Sequence, residues 1–89
     1  MYYVYILHCR EERYYIGSTE DIEKRLAQHN SPEFKGWTSR YHDWKLVYHE
    51  AYQTRSEAIK RERQIKRMKG GAGFRRLVGG IRGSPAILK

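Results

Sequence analysis

Cysteine occurs once in this chain of 89 residues, at Cys9, and proline only twice. A lone thiol excludes a disulfide framework and any CxxC redox or zinc site. The four histidines, His8, His29, His42 and His49, are too scattered to give the paired spacing of a zinc site. No apolar run is long enough to span a bilayer. The amino-terminal YYVYIL meets His8, Cys9 and Arg10 at once and has no basic segment before it, which also argues against a signal peptide. These absences predict a reduced, cytoplasmic chain. Acid is scarce too: 10 Asp plus Glu stand against 18 Lys plus Arg, for a net charge of +8. A solvated surface needs only a small charge of either sign. An excess of this size suits a polyanion, with nucleic acid first and an acidic membrane surface second. The membrane reading lacks the sustained amphipathic helix it requires.

What is present reads as one small α/β domain over 1–82 with a frayed tail at 83–89. YYVYILH (2–8) is β-branched and aromatic and too short for a helix, so it predicts a strand. YYIGS (14–18) predicts a second strand, paired to the first as a hairpin across the polar CREER. Ser18 or Thr19 can cap a helix running to about His29, with Glu20 and Asp21 in its first turn. Residues 31–43 lack a period and predict a loop with a short turn, and WKLVYHEAY (44–52) predicts a third strand. TRSE then forms a capping box, Thr54 with Glu57, opening a helix to about Lys69 that buries Ala58, Ile65 and Met68. Phe74, Leu77, Val78 and Ile81 keep helical spacing in a glycine-rich segment and predict a short third helix. The order is β-β-α-β-α-α, and a three-stranded antiparallel sheet flanked by helices buries these stripes most economically.

The first helix carries an oddity. Ile22 and Leu26 define its buried stripe, yet Arg25 and His29 lie on the edge of that stripe, one turn apart. An arginine there can simply snorkel, with its stem on apolar surface and its head in water. The neighbours argue for more. A hairpin centred on Glu11 opposes Tyr5 to Gly17 and puts Tyr5 and Tyr15 on one sheet face. Tyrosine-rich strands usually mean core with wet hydroxyls. Two phenols beside a glycine, next to a helix presenting Arg and His, make a polar pocket on a basic protein.

YVY at 3–5, YIG at 15–17, DIEKRLAQH and TRSEAIKRE, in this order, resemble the GIY-YIG nuclease family, and most of all its small stand-alone members. The resemblance covers residues 2–69. It implies motif tyrosines at Tyr5 and Tyr15, the motif glycine at Gly17, the helix arginine at Arg25, a helix position at His29 that is commonly Tyr or His, and a metal-binding glutamate at Glu57. Three positions depart from the family. Tyr3 stands where the first motif has Gly, and Ser18 where some members have Lys. The family's late asparagine finds no match, since Asn30 is the chain's one Asn.

The resemblance implies phosphodiester hydrolysis on nucleic acid, with DNA as the first choice, using a single Mg²⁺ or Mn²⁺. Arg25 offers a planar, always-charged fork for phosphate oxygens, and one carboxylate with waters suits either cation. A free phenol, with a pKa of about 10, is a poor base, so Tyr15 or Tyr5 needs a nearby cation or metal-bound water to act as one; Tyr15 is favoured, with Tyr5 positioning water or phosphate and His29 orienting or relaying the proton. Glu57 has a competing explanation, because its place in a capping box alone warrants Glu, worth about 1 kcal/mol to the helix. Lys60, Arg63, Lys66 and Arg67 on the second helix are candidates for tracking a phosphate backbone. The rival reading is a basic nucleic-acid-binding module of the same fold without turnover.

Overall fold

The computed structural model describes residues 1–69 and 71–82. The predicted tail at 83–89, like the side chains of Trp37 and Ile81, lies outside what is described. Strands β1 (Tyr2–His8) and β2 (Tyr14–Thr19) are followed by helix α1 (Ile22–His29), a 3₁₀ turn at Trp37–Arg40, strand β3 (Lys45–Tyr52) and helices α2 (Arg55–Met68) and α3 (Ala72–Arg82). The expected order β-β-α-β-α-α is observed. The sheet has order β2-β1-β3 and is antiparallel throughout, so the first strand of the chain is its centre.

The hairpin register is the one that alternation and turn length predict. Tyr5 opposes Gly17, Ile6 opposes Ile16 and Leu7 opposes Tyr15. Glu12 closes the turn in the left-handed region at φ 63°. The hairpin tip is held against the loop before β3, where Arg10 N donates to His42 O, Arg10 Nε donates to Asp43 Oδ2 at 2.9 Å, and His42 N donates to Glu11 Oε1.

Alternation along β1 and β2 divides the molecule into two layers. Val4, Ile6 and Ile16 face Ala58 and Ile65 of α2 and Phe74 and Val78 of α3, all buried, with Met68 and Leu77 at the margin. Tyr5 and Leu7 face the other way, packing with Cys9 and Trp44 and flanked by Tyr15 and by Ile22 and Leu26 of α1. A bulge between Ile6 and Leu7 of the β1–β3 ladder adds a residue to β3, so Leu46 joins the α1 layer while Val47 and Tyr48 join the other.

Three local expectations shift. Helix α1 is capped by Asp21, whose Oδ1 accepts from Lys24 N at 3.1 Å, and not by Ser18 or Thr19. Those two residues extend β2, and Thr19 Oγ1 accepts from Asp21 N, turning the chain into the cap. Strand β3 begins at Lys45 and leaves Trp44 in the core, and α2 ends at Met68. The capping box of α2 forms as expected, with Thr54 N donating to Glu57 Oε1 and Glu57 N to Thr54 Oγ1.

Candidate active site

On the α1 side of the sheet, β1 supplies Tyr5, β2 supplies Tyr15 and Gly17, and α1 supplies Arg25 and His29. The two phenol rings lie 6.0 Å apart, and the Tyr15 ring lies 4.5 Å from the His29 imidazole. Gly17 makes this possible. A Cβ at that position would stand 2.8 Å from Tyr5 Oη and 2.9 Å from Tyr15 Cε2, so any side chain would displace one of the phenols.

The cluster has an inner and an outer tier. Tyr5 is wholly buried and His29 is 3% exposed, whereas Tyr15 and Arg25 are half-buried and reach the surface. Burial pushes the Tyr5 phenol well above the usual range, with Tyr15 adding to the rise and Arg25 opposing it. Burial, and then the Arg25 charge, lowers His29 to about 4, so its imidazole is neutral near pH 7. A neutral ring has one donor and one acceptor nitrogen. Nε2 stands 3.4 Å from Tyr5 Oη, and Nδ1 stands 2.8 Å from Thr38 Oγ1.

Residues outside the predicted set hold that imidazole. Thr38, 1% exposed, sits in the 3₁₀ turn, and its carbonyl accepts from Trp44 Nε1 at 3.0 Å. Asn30, at the C-cap of α1, grips the Trp44 backbone twice: Oδ1 accepts from Trp44 N at 2.8 Å, and Nδ2 donates to Trp44 O at 3.0 Å. The asparagine that fits no motif position thus ties α1 to the start of β3. Only the aromatic Trp44 signalled itself in sequence; Thr38 lies in an aperiodic loop where pattern carries no signal.

Arg25 also faces a concavity of about 370 Å³, between the β2–α1 turn and the start of α2. Ser18, Thr19, Glu20, Asp21, Lys24, Arg55 and Ala58 line it as well. The guanidinium is steadied by its own helix, donating from Nη1 to Gln28 Oε1 at 3.2 Å. Three cations, Lys24, Arg25 and Arg55, share this concavity with two acids, Glu20 and Asp21.

Glu57 is not among the residues that converge there. Its Oε1 accepts from both Thr54 N and Thr54 Oγ1, the residue is exposed, and its charge is felt by Tyr52 of β3. A second acid on α2, Glu62, escaped the sequence reading. It lies one turn beyond Ala58, on the flank that shares Ala58 and Arg55 with the concavity, whereas Glu57 is about 140° away around the helix at 100° per residue. The Glu62 side chain is 18% exposed and holds Lys66 Nζ at 2.7 Å. Spacing carried its signal: an acid four residues after a buried Ala58 falls on the buried edge. Lys60, Arg63, Lys66 and Arg67 are exposed along the outside of α2. Among the described residues no three His, Cys, Asp or Glu side chains converge on a point. No helix among them is long and apolar enough to cross a membrane.

Comparison with known proteins places this geometry. The family model described as the GIY-YIG catalytic domain matches residues 1–74. A UPF0213 protein of Staphylococcus saprophyticus is 42% identical over 65 residues, covering 73% of this chain and 79% of that protein. Another, from Haloquadratum walsbyi, is 42% identical over 65 residues, covering 73% of each. The solution NMR structure of a UPF0213 protein from Bacillus halodurans matches with a TM-score of 0.54 at 28% identity, over 97% of this chain and 90% of that one.

Proposed function

The chain belongs to the GIY-YIG family, and on that premise we propose that it is a divalent-metal-dependent endonuclease that hydrolyses phosphodiester bonds in DNA. The observation that carries this reading is the convergence of Tyr5, Tyr15, Arg25 and His29 on one sheet face, around a glycine that admits the phenols.

Each residue has a task that its surroundings suit. Arg25, at the mouth of the concavity, binds the scissile phosphate and offsets the charge that grows on its oxygens. Tyr15, in the outer tier, takes the proton of the attacking water. Tyr5 is buried and held neutral, so it acts as a hydrogen-bonding strut. His29 fixes that strut from one ring nitrogen and is fixed by Thr38 at the other.

Mg²⁺ or Mn²⁺ takes hard oxygen ligands and keeps several waters, so a lone carboxylate beside a phosphate site fits it; the cation supplies Lewis-acid activation of the phosphate and leaving group. Two α2 carboxylates compete to hold it. Glu57 has one oxygen spent on its cap. Glu62 has one oxygen on Lys66, but helix phase puts it on the flank of Arg55 and Ala58, which line the concavity, and this favours it. A cleavage panel of duplex, nicked, flapped, branched and single-stranded DNA with Mg²⁺ or Mn²⁺ tests the whole reading. Metal-dependent cleavage is expected in the wild type, lost in Arg25→Ala with the fold intact. Glu62→Gln should lose cleavage and Glu57→Gln keep it; the reverse result returns the metal to Glu57. A wild type that binds every substrate and cleaves none leaves the rival, a nucleic-acid-binding module, in its place.

A further inference from the structure

Two concavities meet at Arg55. One is the Arg25 concavity, and the other, of about 820 Å³, runs along the outside of α2, lined by Arg55, Ile59, Lys60, Arg63, Gln64 and Arg67. The four cations of this outer groove have no carboxylate within ion-pair distance among the described residues, whereas the two α2 cations off it are both neutralised: Arg61 Nε by Glu50 at 2.9 Å and Lys66 Nζ by Glu62 at 2.7 Å. The helix thus pairs those two cations with acids and leaves the four of the groove as bare charge. The opposite rim of the Arg25 concavity carries Glu20 and Asp21, which repel phosphate.

We infer that a nucleic-acid strand leaves the Arg25 concavity over Arg55 and runs out along the outer groove of α2, with Arg55 holding the phosphate adjacent to the scissile one. This rests on the nuclease reading for the word scissile alone; the track itself needs only a phosphodiester backbone. From Arg55 to Arg67 the helix rises about 18 Å, long enough for its four cations to meet several successive phosphates of one strand. The acidic rim makes the footprint lopsided, extended on the α2 side of the bound phosphate and short on the other.

The test is binding without cleavage, by fluorescence anisotropy on a short labelled duplex without divalent metal, from about 50 to 200 mM salt. Each phosphate contact contributes about 0.9 to the log–log salt slope, so Arg55→Gln should shallow it by about 0.9 and the double variant Arg63→Gln/Arg67→Gln by about 1.8. Lys45→Gln makes the same charge change at the exposed start of β3, off the track, and should leave the slope unaltered. Equal effects of Lys45→Gln and Arg55→Gln would show that net charge alone is at work and would overturn the track. So would an unchanged slope in the groove variants, or salt-dependent binding to anionic vesicles with none to the duplex. The predicted slopes without cleavage of any substrate would sink the nuclease reading and leave the track standing; cleavage with unchanged slopes would do the opposite.

Discussion

Gly17 sets the closest approach in the site, and its replacement is the sharpest single-residue test. Alanine there meets Tyr5 Oη at 2.8 Å, and Tyr5, wholly buried, has nowhere to move. Gly17→Ala should cost about 1–3 kcal/mol by overpacking, read as a lowered Tm, and should reduce cleavage beyond what the loss of folded protein accounts for. His29 makes a second test, in pH. Its folded pKa of about 4 lies below the ordinary 6.5, so the unfolded chain binds the extra proton first. The stability this group supplies is therefore complete above about pH 6.5, falls as pH drops towards 4, and is lost by up to roughly 3 kcal/mol below that. Urea unfolding across this range should show the slope in the wild type and a flatter profile in His29→Gln. At the capping box, Glu57→Gln should stay within about 0.5 kcal/mol of the wild type by thermal unfolding, while Glu57→Ala loses about 1 kcal/mol. At this scale the sequence was legible where residues sit on strands or helices, because period put Tyr5 and Tyr15 on one sheet face and Arg25 and His29 on one edge of α1. Thr38 and the Asn30 grip on Trp44 stayed hidden because they depend on where an aperiodic loop returns.

Between elements, the strongest polar join lies on the side of the sheet away from the site. Glu50 of β3 accepts from Tyr52 Oη at 2.6 Å, from Tyr48 Oη, and from Arg61 Nε and Nη2 of α2 at 2.9 and 3.1 Å. Burial pushes the Glu50 carboxyl up, but the bonds from Arg61 and the two phenols outweigh it and hold it below the usual range. Both phenols are in turn raised to about 12, chiefly by burial. Arg61→Ala should destabilise by about 2 kcal/mol, since it leaves a mostly covered carboxylate without its cation. Arg61→Ala/Glu50→Gln should recover part of that loss, measured as an interaction energy in a double-mutant cycle. Sequence pattern found each of these elements and misjudged only their edges. Ser18 and Thr19 are good caps in isolation, but the β1 ladder claimed them for β2 and passed the cap to Asp21.

For the molecule as a whole, a net charge of +8 and the proposed phosphate-binding role of Arg25 predict that inorganic pyrophosphate stabilises the fold. At about ten times its Kd a ligand adds about 1.4 kcal/mol, or roughly 6–10 °C in Tm for a domain this size. Differential scanning calorimetry should show that rise in the wild type and a much smaller one in Arg25→Ala. The two-layer plan lies behind the site, because β1 and β2 put one set of side chains against α2 and α3 and the other, with the site tyrosines among Leu7 and Trp44, against α1. Seen as heritable change, this makes parity a rule. Losing a single codon inside 2–8 or 14–19 turns the strand residues beyond it to the wrong side, moving Tyr5 or Tyr15 away from Arg25 and bringing aliphatics towards it. Losing two codons shortens the strand but leaves each remaining residue on its own side. In a library of in-frame deletions, folded and active survivors should lose residues from these strands in even numbers.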